Sequence, residues 1–367
     1  MTISNEALQV TLYGAPERGR VGMRTKRQSA MNNCKLRIAG ILFITIFVST
    51  MTLHAKERER TMKILEVRKI WDKAPHNAFT DLIRYNNQWY CAFREGQSHI
   101  SDDGKLRVIR SEDGEKWTSV ALIEWDGGDV RDAKLSITAE NQLMLNGAVR
   151  FLKPVDGNKH QSVTWLSLDG EHWSEPFSCP TGLGTWRWSV TWHKGTAYSF
   201  GYSGKDKQGC LYRSKDGKIW DIVKDDVYPD VQTYGNETSL VFLKNDTAYC
   251  LLRRDKGSCS ALLGVSQPPY IEWKWSDLGR HIGGPKMIPF SENRFLAVVR
   301  LSDETQRTSL CWIDPKAATL TEAVKLPSGG DTSYAGLVRQ NDMLWVSYYS
   351  SHEEKTAIYL ARLKISD

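Results

Sequence analysis

Apolar and polar positions along this 367-residue chain follow a unit that recurs six times. Each unit has a short apolar run, a polar turn and a second apolar run, which is the pattern of a β-hairpin. The turns carry Asn, Asp or Gly, the residues that tight hairpin turns favour. The units begin about 50 residues apart and span residues 80–96, 132–149, 187–202, 237–253, 283–300 and 334–350.

A second repeat, Ser-x-Asp-Gly-x-x-Trp, occurs three times, at residues 111–117, 167–173 and 214–220. Ser and Asp side chains can bond the backbone of a tight turn, Gly supplies a positive φ, and Trp packs the turn onto a sheet. A period of about 50 residues fits four strands per unit, as in a propeller blade. The sequence therefore predicts an all-β fold, a six-bladed β-propeller. A solenoid is the alternative, although no β-helix period is visible.

The N-terminal region has a different composition. An apolar run at residues 39–53 follows Lys35 and Arg37, and Leu53, His54 and Ala55 resemble a small-residue cleavage site. This is the pattern of a secretory signal peptide, and the run is short for a membrane span. We expect residues 1–55 to be an N-terminal extension and signal peptide, with Met31 as an alternative start and an uncleaved anchor as the alternative role. Residues 56–367 would then form the propeller domain, secreted or periplasmic and without stable membrane insertion.

The net charge of +6 arises mainly from this leader. Residues 1–55 hold seven Lys or Arg and two Asp or Glu, which leaves 42 basic against 41 acidic residues in the remainder. A nearly neutral domain gives no electrostatic reason to expect a nucleic-acid partner. We expect the domain to be a monomer.

The cysteine pattern gives no sign of a metal centre. The chain has neither a CxxC pair nor an HExxH motif, and we predict no metal and no cofactor. Cys91 and Cys250 occupy equivalent places in apolar strands and are expected to be buried free thiols. A disulfide between Cys210 and either Cys250 or Cys259 is an alternative that the sequence leaves open.

Polar residues gather where the inner strands of a propeller would begin, and these ends converge on one face. Charged residues at the entrance of apolar strands need partners or a ligand. From this set we predict substrate-binding roles for His76, Arg131, Asp132 and Arg187. His352 follows the last hairpin in a polar and aromatic stretch, and we predict that it contacts substrate at the rim.

The second strands of three hairpins end in arginine. Arg94, Arg253 and Arg300 follow equivalent apolar runs, with Arg254 as the alternative to Arg253 if the register differs by one. Guanidinium groups that converge from three blades suit an anionic or polyhydroxylated ligand. We therefore predict that these arginines bind substrate; a structural role between blades is the alternative.

With these motifs the chain resembles the sialidase (Asp-box) superfamily over nearly the whole mature domain. The stretch 93–104 resembles the sialidase segment that carries the acid/base aspartate, which corresponds to Asp102. The stretch 236–241 resembles the segment with the glutamate that activates the nucleophile, here Glu237. The stretch 333–337 resembles the segment with the tyrosine nucleophile, here Tyr334. The resemblance implies a catalytic set of Asp102, Glu237 and Tyr334 in an exo-acting glycoside hydrolase, whose partner is a glycan or oligosaccharide substrate.

One segment departs from the family pattern. Sialidases open the first blade with Arg-Ile-Pro, whose arginine helps to hold the substrate carboxylate, but residues 76–82 contain no arginine. We therefore expect a terminal acidic or deoxy sugar rather than ordinary sialic acid. Two alternatives stay open: a polysaccharide lyase on the same propeller, for which His76, His99, His352 and Tyr334 are candidates, and a non-catalytic glycan-binding propeller.

Overall fold

The computed structural model describes residues 60–230 and 232–366, so the predicted leader lies outside the described residues. The described chain consists of β-strands joined by turns, with a single 3-10 turn at Pro180–Gly182. No helix in the described ranges is long and apolar enough to cross a membrane. The predicted all-β class is confirmed.

The first two sheets are built from consecutive antiparallel strands. One sheet has the order β2-β3-β4-β5 and the next has the order β6-β7-β8. These strands are β2 (His76–Tyr85), β3 (Gln88–Gly96), β4 (Lys105–Ser111), β5 (Thr118–Ile123), β6 (Gly128–Ile137), β7 (Leu143–Val155) and β8 (Asn158–Ser167).

The third sheet has five strands, with β9 and β10 both paired to β11, followed by β12 and β13. The fourth sheet has seven strands in sequence order from β14 to β20. The bounds are β9 (Trp186–Arg187), β10 (Thr191–His193), β11 (Thr196–Tyr202), β12 (Cys210–Ser214), β13 (Asp221–Asp225), β14 (Gly235–Phe242), β15 (Ala248–Arg254), β16 (Ser260–Ser266), β17 (Lys274–Ser291), β18 (Arg294–Leu301), β19 (Arg307–Asp314) and β20 (Thr319–Lys325).

The last sheet joins the two ends of the domain. Its order is β1-β23-β22-β21, so the first described strand pairs antiparallel with the last. This pairing covers an edge of the final sheet that would otherwise offer unpaired backbone groups. The bounds are β1 (Thr61–Trp71), β21 (Thr332–Gln340), β22 (Met343–Ser350) and β23 (Ala357–Ser366).

All six predicted hairpins are present as antiparallel ladders. Asn86 and Asn87 connect β2 to β3 with φ of 47° and 62°, which is the type I′ geometry that matches strand twist. Together the sheets form a propeller-like arrangement whose apolar clusters lie between and within the sheets.

The three Ser-x-Asp-Gly-x-x-Trp segments form one kind of turn. In the first, the Gly114 amide donates to Ser111 Oγ at 2.8 Å, and the Glu115 and Lys116 amides donate to Asp113 Oδ1 at 2.7 and 3.0 Å. These backbone donors lower the pKa of Asp113 to about 2. The other two copies repeat this geometry. The predicted turn chemistry is therefore present.

The inner strands share a distortion that positions the site. In β2, β6, β14, β17 and β21, two residues oppose one residue of the partner strand, which is a β-bulge. At these bulges Phe79, Asp132 and Tyr334 have φ of 61°, 57° and 47°. Such left-handed residues cost free energy and are common where a side chain is aimed at a functional site.

All six described cysteines are free thiols, so the described residues contain no disulfide. Cys91 and Cys250 are fully buried, as predicted. Burial in apolar surroundings raises the pKa of both thiols, which makes them poor nucleophiles.

Candidate active site

The centre of the candidate site is a hydrogen-bonded group of Tyr334, Glu237 and Arg253. The Tyr334 hydroxyl donates to Glu237 Oε1 at 2.6 Å. Arg253 Nη1 lies 2.8 and 2.9 Å from the two carboxylate oxygens of Glu237 and 2.9 Å from the Tyr334 hydroxyl oxygen. Tyr334 and Glu237 are only 6% and 4% exposed. The hairpin that carries Glu237 and Arg253 thus meets Tyr334, which lies about 100 residues further along the chain, in one enclosed cluster.

The electrostatics of this cluster favour a neutral tyrosine at rest. Burial raises the pKa of Tyr334, and the Glu237 carboxylate acts in the same direction against the opposing effect of Arg253 and Arg300. For Arg253, burial alone would lower the pKa, but Glu237, Tyr334 and Asp255 raise it above its usual value. The tyrosine can therefore become a nucleophile only if it transfers its proton, and Glu237 is placed to accept it.

Three aromatic rings pack against Tyr334. Phe79 and Trp188 lie edge-on to it, with ring centroids 5.2 and 5.8 Å away, and Tyr349 lies at 5.9 Å. Tyr202 packs partly buried nearby, where desolvation and Glu237 raise its pKa. Apolar surroundings of this kind strengthen the electrostatic interactions inside them.

Arg300 is a cation with spare hydrogen-bonding capacity. Its guanidinium carbon lies 5.4 Å from the centroid of the Tyr334 ring. Nε of Arg300 is buried and has no hydrogen-bond partner among the described residues. By contrast, Arg254 is occupied by Asp277, Ser258 and Ser260. The register therefore places Arg253, and not Arg254, beside Tyr334.

Asp132 and Arg131 lie on the bulge of β6. Arg131 Nη1 is 3.3 Å from Asp129 Oδ2, and its guanidinium carbon is 5.1 Å from the Phe79 ring centroid. Asp132 is buried, and burial raises the pKa of its carboxyl against the influence of Arg131 and Lys134. A carboxyl group of this kind can hold a proton near Glu237.

Arg94 has no capacity left for a ligand. It is fully buried, with Nε 2.7 Å from Asp129 Oδ1 and its terminal nitrogens bonded to the Ser98 carbonyl and to Ser101. These contacts anchor the 97–104 loop to β3. The structure thus places Arg94 as a support for the loop, and the neighbouring Glu95 pairs with Arg107.

Asp102 lies on that loop at the surface. Its side chain is 71% exposed, and Oδ1 accepts a hydrogen bond of 2.6 Å from Arg150 Nη2. Among the described residues no hydrogen bond joins Asp102 to Glu237 or Tyr334. The structure therefore does not place Asp102 in the Tyr334 cluster.

Two other predicted substrate contacts also lie apart from this cluster. Arg187 is buried between the rings of Tyr212 and Trp220, with Nη2 3.7 Å from Cys179 Sγ. His352 pairs with Ser350 Oγ at 2.8 Å and packs against Tyr359. The structure places Arg187 in the packing of the third sheet and His352 at the edge of the last sheet.

His76 belongs to a second polar group near the aromatic walls. Its Nε2 lies 3.0 Å from Asp331 Oδ2, and the exposed His99 places Nδ1 2.6 Å from the same oxygen. Phe79 separates this group from Tyr334, with its ring 5.1 Å from His99 and 5.2 Å from Tyr334.

Several residues of the site were not predicted as site residues from the sequence. Asp331 was visible only as a polar residue before an inner strand, and His99 was named only as a candidate for the lyase alternative. Phe79, Trp188 and Tyr349 resemble ordinary core aromatics in sequence. Phe79 lies on the bulge of β2, and packing between sheets brings all three rings against Tyr334.

Comparisons with known proteins identify solved structures that share this fold. No protein-family model and no curated protein matches the chain. A protein of unknown function from Dyadobacter fermentans matches with a TM-score of 0.73 and 19% identity, over 83% of this chain and 99% of that one.

Two glycoside hydrolases share the fold at lower similarity. Trypanosoma rangeli sialidase, solved as a covalent intermediate with 2,3-difluorosialic acid, matches with a TM-score of 0.62 and 11% identity over 79% of this chain. The match spans about half of that sialidase, 54%. An α-L-arabinanase from Penicillium chrysogenum, complexed with arabinobiose, matches with a TM-score of 0.58 and 14% identity, over 81% and 98% of the two chains. The chain therefore has the fold of β-propeller glycoside hydrolases.

Proposed function

We propose that this protein is a glycoside hydrolase with Tyr334 as its nucleophile and Glu237 as the base that activates it. The observation that carries the proposal is the 2.6 Å hydrogen bond between the Tyr334 hydroxyl and the Glu237 carboxylate. A buried tyrosine with a raised pKa reacts only when a base accepts its proton, and Glu237 is held by Arg253 in position to do so.

The proposed reaction has two steps. Tyr334 Oη attacks the anomeric carbon while Glu237 accepts the hydroxyl proton, and the glycosidic oxygen leaves with a proton from an acid. In the second step, water attacks the anomeric carbon of the glycosyl-tyrosine, and the group that acted as the acid now accepts a proton from that water. Tyr334 leaves the anomeric carbon, and Glu237 returns the proton to its oxygen. Two displacements at one carbon give net retention of configuration.

Asp102 is the first candidate for the acid/base role, supported by its place on the 97–104 loop beside the site. A glycan that covers the loop would displace solvent from its exposed carboxyl group. Asp132 is the second candidate, because burial already raises the pKa of its carboxyl next to Glu237. Loss of turnover in only one of Asp102→Asn and Asp132→Asn would assign the role.

The substrate we propose is a terminal acidic sugar. Arg300 offers an unpartnered buried Nε over the Tyr334 ring, and a sugar carboxylate would satisfy it. The enclosure of Tyr334 and Glu237 favours a chain end over an internal residue. A deoxy sugar remains within the proposal because the aromatic walls suit an apolar face.

We also propose that the sheets constitute six blades. Residues 274–281 of β17 pair with β16, whereas residues 282–291 pair with β18. The seven-stranded sheet is thus two four-stranded ladders that share one long strand. In this interpretation the three Ser-x-Asp-Gly-x-x-Trp turns are Asp boxes. We further propose that the domain is a monomer that is secreted or periplasmic after cleavage behind residue 55.

The experiment that tests the function is a substrate panel assayed for reducing ends and ultraviolet absorbance together. It includes aryl uronides, sialosides, deoxy-sugar glycosides and arabinosides, with Tyr334→Phe and Asp102→Asn beside the wild type. Hydrolysis that Tyr334→Phe abolishes supports the proposal. A rise in ultraviolet absorbance, which reports an unsaturated product, would instead indicate a lyase, and glycan binding without turnover would indicate a binding module.

A further inference from the structure

His76, His99 and Asp331 form a compact cluster of ligand atoms. His76 Nε2, His99 Nδ1 and a carboxylate oxygen of Asp331 all lie within 4.8 Å of one another. The residues come from three separate segments: the first position of β2, the 97–104 loop and the segment just before β21. The cluster therefore connects the first sheet to the last.

Both imidazoles contact the same carboxylate oxygen. Asp331 Oδ2 lies 3.0 Å from His76 Nε2 and 2.6 Å from His99 Nδ1. The other oxygen, Oδ1, accepts a hydrogen bond of 2.7 Å from the Tyr349 hydroxyl. Tyr349 thus fixes the orientation of the carboxylate, as outer-shell partners do for metal ligands.

Two other histidines in the described chain pair with aspartate, and the comparison is informative. His172 contacts Asp169 at 2.7 Å, and His193 contacts Asp246 at 2.7 Å. Each of those aspartates has one histidine partner, and neither pair belongs to a three-residue ligand cluster within the described residues. Within the part of the chain that the structure describes, two imidazoles and a carboxylate converge only at Asp331.

We propose that His76, His99 and Asp331 bind a divalent first-row transition-metal ion such as Zn²⁺. Two imidazole nitrogens and one carboxylate oxygen are ligands that Zn²⁺ commonly takes. Ligand atoms around tetrahedral Zn²⁺ lie roughly 3.3 Å apart, so Asp331 Oδ2 would have to lie roughly 0.3 Å further from His76 Nε2 and roughly 0.7 Å further from His99 Nδ1. His99, whose side chain is 46% exposed, is free to make that adjustment.

The remaining coordination positions would be open on the side of His99. The side chains of His76 and Asp331 are 9% and 27% exposed, so protein would surround the ion on the side of these two ligands. A fourth position on the exposed side can take water or a sugar oxygen. The metal would tie the 97–104 loop, which carries both His99 and Asp102, to the last sheet. Metal binding itself does not depend on the proposed hydrolase activity.

The test is a Zn²⁺ titration of the full chain by calorimetry, with His99→Ala, Asp331→Asn and the matched control His172→Ala. We expect one saturable site in the wild type and in His172→Ala, and binding at least about tenfold weaker in His99→Ala and Asp331→Asn. Zn²⁺ should also raise Tm of the wild type but not of His99→Ala. Because the His99 side chain is exposed, His99→Ala is expected to fold even if Asp331→Asn does not.

Two results would overturn the proposal. One is the absence of saturable Zn²⁺ uptake by the wild type, in which case the cluster is only a hydrogen-bonded contact between two sheets. The other is equal Zn²⁺ affinity in the wild type and His99→Ala, which would locate the bound ion elsewhere. Neither result depends on a glycan substrate, so it is distinct from a failure of the proposed reaction.

Discussion

The Tyr334 hydroxyl donates a 2.6 Å hydrogen bond to Glu237, although 97 residues separate them in the sequence. Both residues lie on inner strands that carry a β-bulge, and Arg253 contacts both side chains. Because the pair is buried, its geometry is fixed before any substrate arrives. Preorganisation of this kind is what a nucleophile and its base require.

Arg300 should discriminate acidic from neutral sugars. Replacement by Met removes the cation while it keeps the length of the side chain. We expect Arg300→Met to raise KM for an aryl uronide by about 10- to 100-fold, because a charge-assisted hydrogen bond is lost, with a much smaller change for a neutral glycoside. Arg294→Met is the control, because Arg294 lies on the same strand but packs on Trp312. Equal effects on both substrates would count against a carboxylate ligand.

Arg94 should matter for stability more than for binding. Arg94→Met leaves the buried Asp129 carboxylate without its closest cation and removes the anchor of the 97–104 loop. We expect a loss of about 3 kcal/mol or more in the free energy of unfolding, measured by urea denaturation. Arg84→Met, which loses only a contact with Trp89, should cost far less. A normally stable Arg94→Met protein with weakened glycan binding would instead indicate a ligand role.

Asp206 should make stability depend on pH. It is buried against Tyr212 and Thr185, and burial raises its pKa to about 6. The folded state therefore binds a proton more tightly than the unfolded state, so this contribution to stability is complete below about pH 4 and is lost as pH rises through about 6. The loss amounts to roughly 3 kcal/mol.

Asp206→Asn isolates that contribution, because it keeps a polar group of the same shape that cannot ionise. We expect the difference in Tm between the wild type and Asp206→Asn to change in favour of the variant between pH 4 and pH 7. A difference that stays constant across this interval would show that Asp206 does not titrate there.

Turn glycines with a positive φ should resist a side chain either from backbone strain alone or from strain together with a steric clash. Gly170 has a φ of 79°, and a Cβ there would lie 2.2 Å from the Tyr90 ring. Gly195 has a φ of 72° but open space around it. We expect Gly195→Ala to cost about 1 kcal/mol from backbone strain and Gly170→Ala about 3 kcal/mol, since overpacking is added. Chemical denaturation of both variants measures this, and equal costs would exclude the clash.

Much of the fold could be predicted from local patterns. The alternation that places Leu240 and Cys250 in one hairpin, and the turn residues such as Asn86 and Asn87, depend on neighbours in the sequence. Side-chain direction within a strand follows its period of two residues. Tyr334 and Glu237 were predicted because their flanking segments resemble a known family.

The rest of the site depends on contacts between sheets, which local patterns do not specify. Arg94 and Arg253 occupy similar places in the sequence, but the guanidinium of Arg94 donates a hydrogen bond to Asp129 on the neighbouring sheet. His99 meets Asp331 across 232 residues, and no spacing motif records that contact. Phe79 reaches Tyr334 only because its backbone adopts a left-handed conformation, which its residue type does not suggest.

The most direct test of the central claim is kcat of Tyr334→Phe beside Tyr348→Phe on the best substrate of the panel. Tyr348 lies on β22, where its hydroxyl only bonds the Pro327 carbonyl, so it controls for loss of a buried hydroxyl. We predict that Tyr334→Phe lowers kcat by about 1,000-fold or more while Tyr348→Phe stays within a few-fold of the wild type. Wild-type turnover in Tyr334→Phe, with its fold intact by circular dichroism, would contradict the assignment of Tyr334 as the nucleophile.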